Sequence, residues 1–107
     1  MTIHRLDLDV AIYRDRVQVT HRPTLSFVDQ RAEYGFSSDS SLVSEPRFLE
    51  DTIVRAIRKV IAEGAFEMRD PIAHVVSCET PPDENEREVI ETALRMPASR
   101  RVVFDLD

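Results

Sequence analysis

The chain has 107 residues, enough for one compact core and too few for two. Its 14 basic and 20 acidic residues give a net charge of −6, which works against a phosphate-backbone footprint and excludes nucleic acid as an expected partner. The single cysteine, Cys78, cannot close an internal disulfide, and the opening MTIHRLDLDV carries neither a signal-peptide apolar core nor a membrane-spanning run; a cytoplasmic setting without membrane contact is expected.

Leu6, Leu8, Val10 and Ile12 alternate with Asp7, Asp9, Ala11 and Tyr13. This period of two predicts a strand with one buried and one more polar face. Arg14, Asp15 and Arg16 form its turn, Val17 and Val19 mark a second strand, and Thr24 to Val28 a third, giving an antiparallel meander. The serine-rich stretch 29 to 45 holds one of only two glycines and predicts a surface loop. From Pro46 to Gly64, residues Leu49, Ile53, Ile57, Val60 and Ile61 recur at helical spacing, with the proline in the first turn and the glycine at the stop.

The apolar run around Ile72, Val75 and Val76 predicts a short central strand. Thr80 is placed to cap a second helix, whose first turn carries Asp83, Glu84 and Glu86 and whose buried stripe is Val89, Ile90, Ala93 and Leu94. After Pro97, Val102 to Phe104 make a fifth strand. The order βββαβαβ, with helical crossovers making the later strands parallel, predicts an α/β domain over residues 1–107. Its expected architecture is ribonuclease H-like: a five-stranded mixed sheet with two main helices, the arrangement of an actin-like ATPase lobe.

The run from Asp51 to Asp107 resembles the first lobe of MreB-type bacterial actins, the rod shape-determining proteins. The matching pieces are Arg69 with Pro71, Val75 to Cys78, Glu86-Arg87 with Ile90, and Arg101 to Leu106; Leu6-Asp7-Leu8 and Arg22-Pro23-Thr24 extend the likeness into the first half. The resemblance implies a filament-forming ATPase lobe, in which Glu86 matches the glutamate that orients the attacking water and Asp7 the strand-one aspartate. Two departures weaken the nucleotide site. Asp9 stands where the family's phosphate loop has glycine, no threonine follows, and a second carboxylate repels phosphate. The lobe that would face the nucleotide follows the strand matched by Arg101 to Leu106, and the serine-rich loop is shorter than its counterpart, which suggests that the family's small outer subdomain is absent. No cofactor is therefore expected.

Two functional classes follow. In a metal-dependent nuclease of this fold, carboxylates near strand ends and helix starts flank a phosphate with divalent ions; Asp7 or Asp9, Glu50 or Asp51, Glu79 and Asp105 are the candidates. Acidic residues are abundant throughout the chain, however, and commonly occupy such positions as solvated groups. His74 and Cys78 lie about 13 Å apart along a strand and do not share an ion. His4 and His21 are expected at the surface, Cys78 as a buried or half-buried structural thiol, and most aromatics in the core.

The second class is an interaction module. The polar alternation of the first two strands predicts a sheet face that neither helix covers. Two readings of it stand: a solvated face of a monomer, or a surface for a protein partner or a second copy of the chain.

Overall fold

Leu6, Leu8, Val10 and Ile12 are all fully buried, and the fold is organised around the strand that carries them. The computed structural model describes residues 4–62, 66–95 and 101–106. Its elements are β1 (His4–Tyr13), β2 (Arg16–His21), β3 (Phe27–Arg31), α1 (Pro46–Ala62), β4 (Phe66–Cys78), α2 (Glu84–Arg95) and β5 (Arg101–Phe104), the order that the sequence predicts. They form one five-stranded mixed sheet in the order β3-β2-β1-β4-β5. β1 pairs antiparallel with β2 and parallel with β4; β2 pairs antiparallel with β3, and β4 parallel with β5.

The register carries the hydrophobic pattern across the sheet. Val10 lies opposite Val19 on one side and Val75 on the other, so the apolar rows fall on one face. Onto that face α1 delivers Leu49, Ile53, Ala56, Ile57 and Val60, and α2 delivers Ile90, Ala93 and Leu94, all within a single buried cluster. Among the described residues, no helix is long and apolar enough to cross a membrane.

Several boundaries differ from the sequence expectation. The third strand occupies Phe27–Arg31 rather than residues 24 to 28. The preceding residues are taken by a turn in which the His21 N–H donates to the Ser26 carbonyl (2.8 Å) and the Leu25 N–H to the His21 carbonyl (2.7 Å). Leu25 sits in the left-handed region with φ of 62°, a conformation that a strand residue does not adopt. β4 runs for 13 residues rather than as a short strand. Its pairing with β1 shifts register between Arg5 and Asp7, with Glu67 opposite Arg5 and Ile72 opposite Asp7. Pro71 falls in that interval, where its missing N–H is accommodated by the break in the ladder. α1 ends at Ala62, and the expected stop at Gly64 lies outside the described residues, as does Pro97.

The serine-rich segment is more than a surface loop. Phe36 is fully buried and Leu42 and Val43 nearly so. Asp15, in the turn between β1 and β2 with φ of 53°, holds the segment in place. Its Oδ1 accepts from the Ser37 N–H (2.8 Å), its own N–H donates to Ser37 Oγ (3.1 Å), and its carbonyl accepts from the Ala32 N–H (2.9 Å). A Cβ on Gly35 would stand 3.3 Å from that same Oδ1, so the glycine serves close approach to the Asp15 carboxylate.

Two further expectations are corrected. Of the described aromatic side chains only Phe36 is in the fully buried core; Phe27 and Tyr34 are exposed, and Tyr13, Phe48 and Phe104 are half-buried. His21 is fully buried rather than at the surface, opposite Leu8 on the helix-facing side. Its ring is held by Thr24 Oγ1 at Nδ1 (2.7 Å) and by the Arg5 carbonyl at Nε2 (2.8 Å), which offsets the cost of burying an imidazole. The His4 side chain lies outside what is described.

Because Phe36 fills the space between the segment and the sheet, Phe36→Ala is expected to lower stability by about 3–5 kcal/mol in urea unfolding. A loss under about 1 kcal/mol would mean that the segment is not part of the core.

Candidate functional site

The sheet face opposite the helices collects the polar half of each strand. Asp9 lies in register with Thr20 of β2 and His74 of β4, Thr20 with Phe27 of β3, and His74 with Val103 of β5. Among the described residues neither helix lies over this face, since both pack into the cluster on the other side.

Two of the carboxylates here have side-chain partners within the chain. His74 Nε2 lies 2.9 Å from Asp7 Oδ1. Arg22, immediately beyond β2, donates from Nε to Asp9 Oδ1, and its backbone N–H donates to the Asp7 carbonyl (2.9 Å). That contact with Asp9, with added attraction from Asp7 and Asp105, raises the already high guanidinium pKa. Of these acids, Asp9 is the one whose side chain contacts Arg22.

The remaining candidates are dispersed. Glu50 is on α1, across the sheet, lining a cleft of about 490 Å³ between the two helices with Arg47 and Glu88. Its neighbour Asp51 pairs with Arg55 (2.9 Å), which also reaches Glu33 (2.6 Å). Glu79 follows β4: its N–H donates to the Ile12 carbonyl (2.9 Å) and its Oε1 accepts from the Arg14 N–H (3.3 Å). Asp105 is exposed beyond β5, with its N–H on the Val75 carbonyl (2.9 Å). Among the described residues, no group of three or more His, Cys, Asp or Glu side chains is placed to hold a metal ion.

Residues 8 to 12, where a phosphate loop would open, are continuous strand paired with β2 on one edge and β4 on the other. Their backbone groups serve the ladder instead of pointing into a phosphate cradle.

Glu86 is committed to architecture. α2 begins at Glu84, and its cap is Asp83 rather than Thr80. The Glu86 N–H donates to Asp83 Oδ1 (2.8 Å) while Glu86 Oε1 accepts from the Asp83 N–H (3.0 Å), a reciprocal capping box. Glu86 Oε2 accepts from Ser41 Oγ (2.8 Å) and the Leu42 N–H (3.1 Å), tying the serine-rich segment to α2. The Asp83 N–H is the leading cause that lowers the Glu86 pKa; burial opposes it, and the smaller contributions of Ser41 and Leu42 lower it further. Cys78, half-buried at the end of β4, shares a cleft of about 440 Å³ with Ser77, Pro81, Pro82 and Arg87. Burial first, and the Glu86 charge second, push its thiol up to about 11. It is a poor nucleophile at neutral pH.

No protein-family model matches the chain, and no curated protein matches it. The pairing of Asp7 with His74 and of Asp9 with Arg22 escaped the sequence analysis; only the register of β1 against β2 and β4 brings those residues together.

Two outcomes follow. Cys78 should react with a thiol reagent at pH 8 on the order of a hundredfold more slowly than a free thiol, and Glu86→Gln should speed it, because removing that charge lowers the thiol pKa. Glu86 has a depressed folded-state pKa, so its contribution is fully present above the ordinary glutamate range and is lost as pH falls through the lowered value. Glu86→Gln should therefore cost about 1–2 kcal/mol at pH 7 and flatten the acid side of a stability–pH curve. An unchanged acid limb would contradict the assignment.

Proposed function

We propose that the chain is a non-catalytic protein-interaction or self-association module, built on a ribonuclease H-like sheet resembling one lobe of a bacterial actin. The observation that carries this reading is the sheet face without a helix over it. Its carboxylates have partners within the chain, Asp7 hydrogen-bonded to His74 and Asp9 ion-paired with Arg22, while Phe27 and Val103 leave 54% and 38% of their surface exposed. A face whose acids are already engaged and whose apolar side chains are exposed suits a protein surface better than a small anionic substrate. The three-strand meander followed by two helical crossovers, with β1 in the middle of the sheet, supports the ribonuclease H-like assignment. Glu86, the residue matched to the water-orienting glutamate, serves the α2 cap instead, which agrees with a lobe that has no hydrolytic role.

The runner-up, a small metal-dependent nuclease or phosphohydrolase, rests on Asp7 and Asp9 sharing the helix-free face of β1 beside Arg22.

Addition of Mg²⁺, Mn²⁺ or ATP should leave the thermal midpoint unchanged, while the light-scattering mass should rise with protein concentration. Metal-dependent hydrolysis abolished by Asp7→Asn would replace this reading with the runner-up.

A further inference from the structure

We propose that the exposed edge of β3 pairs antiparallel with the same edge of a second copy, about a two-fold axis at Gln30, to extend the sheet across a homodimer. This deepens the interaction-module reading and rests on it.

The direction of the edge groups follows from two hydrogen bonds. The Arg22 N–H donates to the Asp7 carbonyl and the His21 N–H to the Ser26 carbonyl. Bonded residues alternate along an antiparallel ladder, so the odd-numbered residues of β2 bond toward β3. Their partners in register are Val28, opposite Val19, and Gln30, opposite Val17. Phe27, Asp29 and Arg31 therefore turn their N–H and C=O groups outward, and β3 is the last strand on its side of the sheet. Such an outward row of donors and acceptors is a template for another strand; the Arg31 carbonyl, which already accepts from Gln30 Nε2, keeps a second lone pair for it.

Charge selects the partner and the register. With the axis at Gln30, Asp29, which already lies 3.5 Å from Arg16 of its own chain, stands opposite Arg31 of the second copy, and Arg31 opposite its Asp29. Both are outward-facing positions, so each of these two pairs exchanges backbone bonds and sets a carboxylate against a guanidinium. Shifting the axis to Asp29, which also keeps the outward residues facing each other, sets Asp29 against its own copy, and like charges directly opposite are unfavourable. The contact is self-complementary, as a two-fold interface requires. The strand ends at Arg31, which limits the pairing to these few residues.

Gln30 lies at the two-fold axis, where its backbone faces that of the second copy. Its Nε2 donates to the Arg31 carbonyl (2.9 Å), and its Oε1 is buried within its own chain, so the contact rests on the backbone and on the Asp29 and Arg31 charges. The strand is short, so the dimer is a weak one.

The test uses the full chain. Sedimentation and light scattering over a series reaching millimolar concentration should show a monomer–dimer equilibrium. Asp29→Arg should weaken it about tenfold by placing like charges opposite each other, and the Asp29→Arg/Arg31→Asp double variant should restore it. In a Cys78→Ser background, Gln30→Cys should form an intermolecular disulfide under mild oxidation, because residues at the axis lie within bridging distance; Phe27→Cys should not. A dimer indifferent to Asp29→Arg, with no Gln30→Cys cross-link, overturns the edge pairing and leaves the module reading in place. A monomer throughout the series overturns the pairing and the self-association with it. Metal-dependent hydrolysis would overturn the module reading alone, since the β3 edge contains none of the carboxylates that it needs.

Discussion

The alternation of side chains along β1 is the constraint on which the rest of the structure depends. Leu6, Leu8, Val10 and Ile12 leave no accessible surface, so the helices can lie on only one side of the sheet. The intervening acids must then stay on the other. A slip of one residue in the pairing of β1 would carry Asp7 and Asp9 into the helix-facing core and expel four aliphatic side chains. Both neighbours enforce the same register: β2 sets Val19 against Val10, and β4 sets Val75 there. The irregularities of β4 relative to β1, one around Pro71 and one beyond Val75, keep a longer strand in step with its neighbour instead of breaking the sheet.

A second constraint acts through carboxylates that the composition alone would mark as solvated. Asp15 and Glu86 grip the segment between β3 and α1 from two sides: Asp15 through Ser37 and Ala32, Glu86 through Ser41 and Leu42. Between those grips lies Phe36, fully buried. A stretch rich in serine thus becomes part of the core, because its backbone donors find acceptors while its few apolar residues turn inward. Glu86 also raises the Cys78 thiol, so the cap of α2, the loop and the end of β4 are electrostatically one unit.

The element order was legible because each element carries a strong period: two in β1 and β2, and helical spacing in α1 and α2. What stayed hidden depended on hydrogen bonds over distance. Thr24 and Leu25 have β-prone or apolar side chains, yet the His21–Ser26 and Leu25–His21 bonds make them a turn. Thr80 is a good capping residue by type, but Asp83 has Glu86 three residues on, and the reciprocal pair prevails. His21 is a common surface type; Thr24 and the Arg5 carbonyl made its burial possible. For the candidate site, the polar side of β1 was readable from alternation alone. The partners that engage it were not, since Arg22 and His74 reach Asp9 and Asp7 only through the register of three strands.

The pairing of those charges bears on what the open face can do. An unpaired carboxylate row would favour a cation or a basic ligand, whereas Asp7 and Asp9 are already matched by His74 and Arg22, and the apolar exposure of the same region gains weight accordingly. That exposure is concentrated where β2 turns into β3. Leu25 is 75% exposed and holds a left-handed backbone that disfavours a leucine, and Phe27, two residues on, starts the edge strand. Neither solvation nor backbone preference explains a leucine there, since glycine or asparagine would suit both better. Departures from local preference concentrate where a surface has a use beyond folding. Asp15, the other described residue with positive φ, is accounted for by its hold on the serine-rich segment; Leu25, beside the β3 edge, has no such role among the described residues.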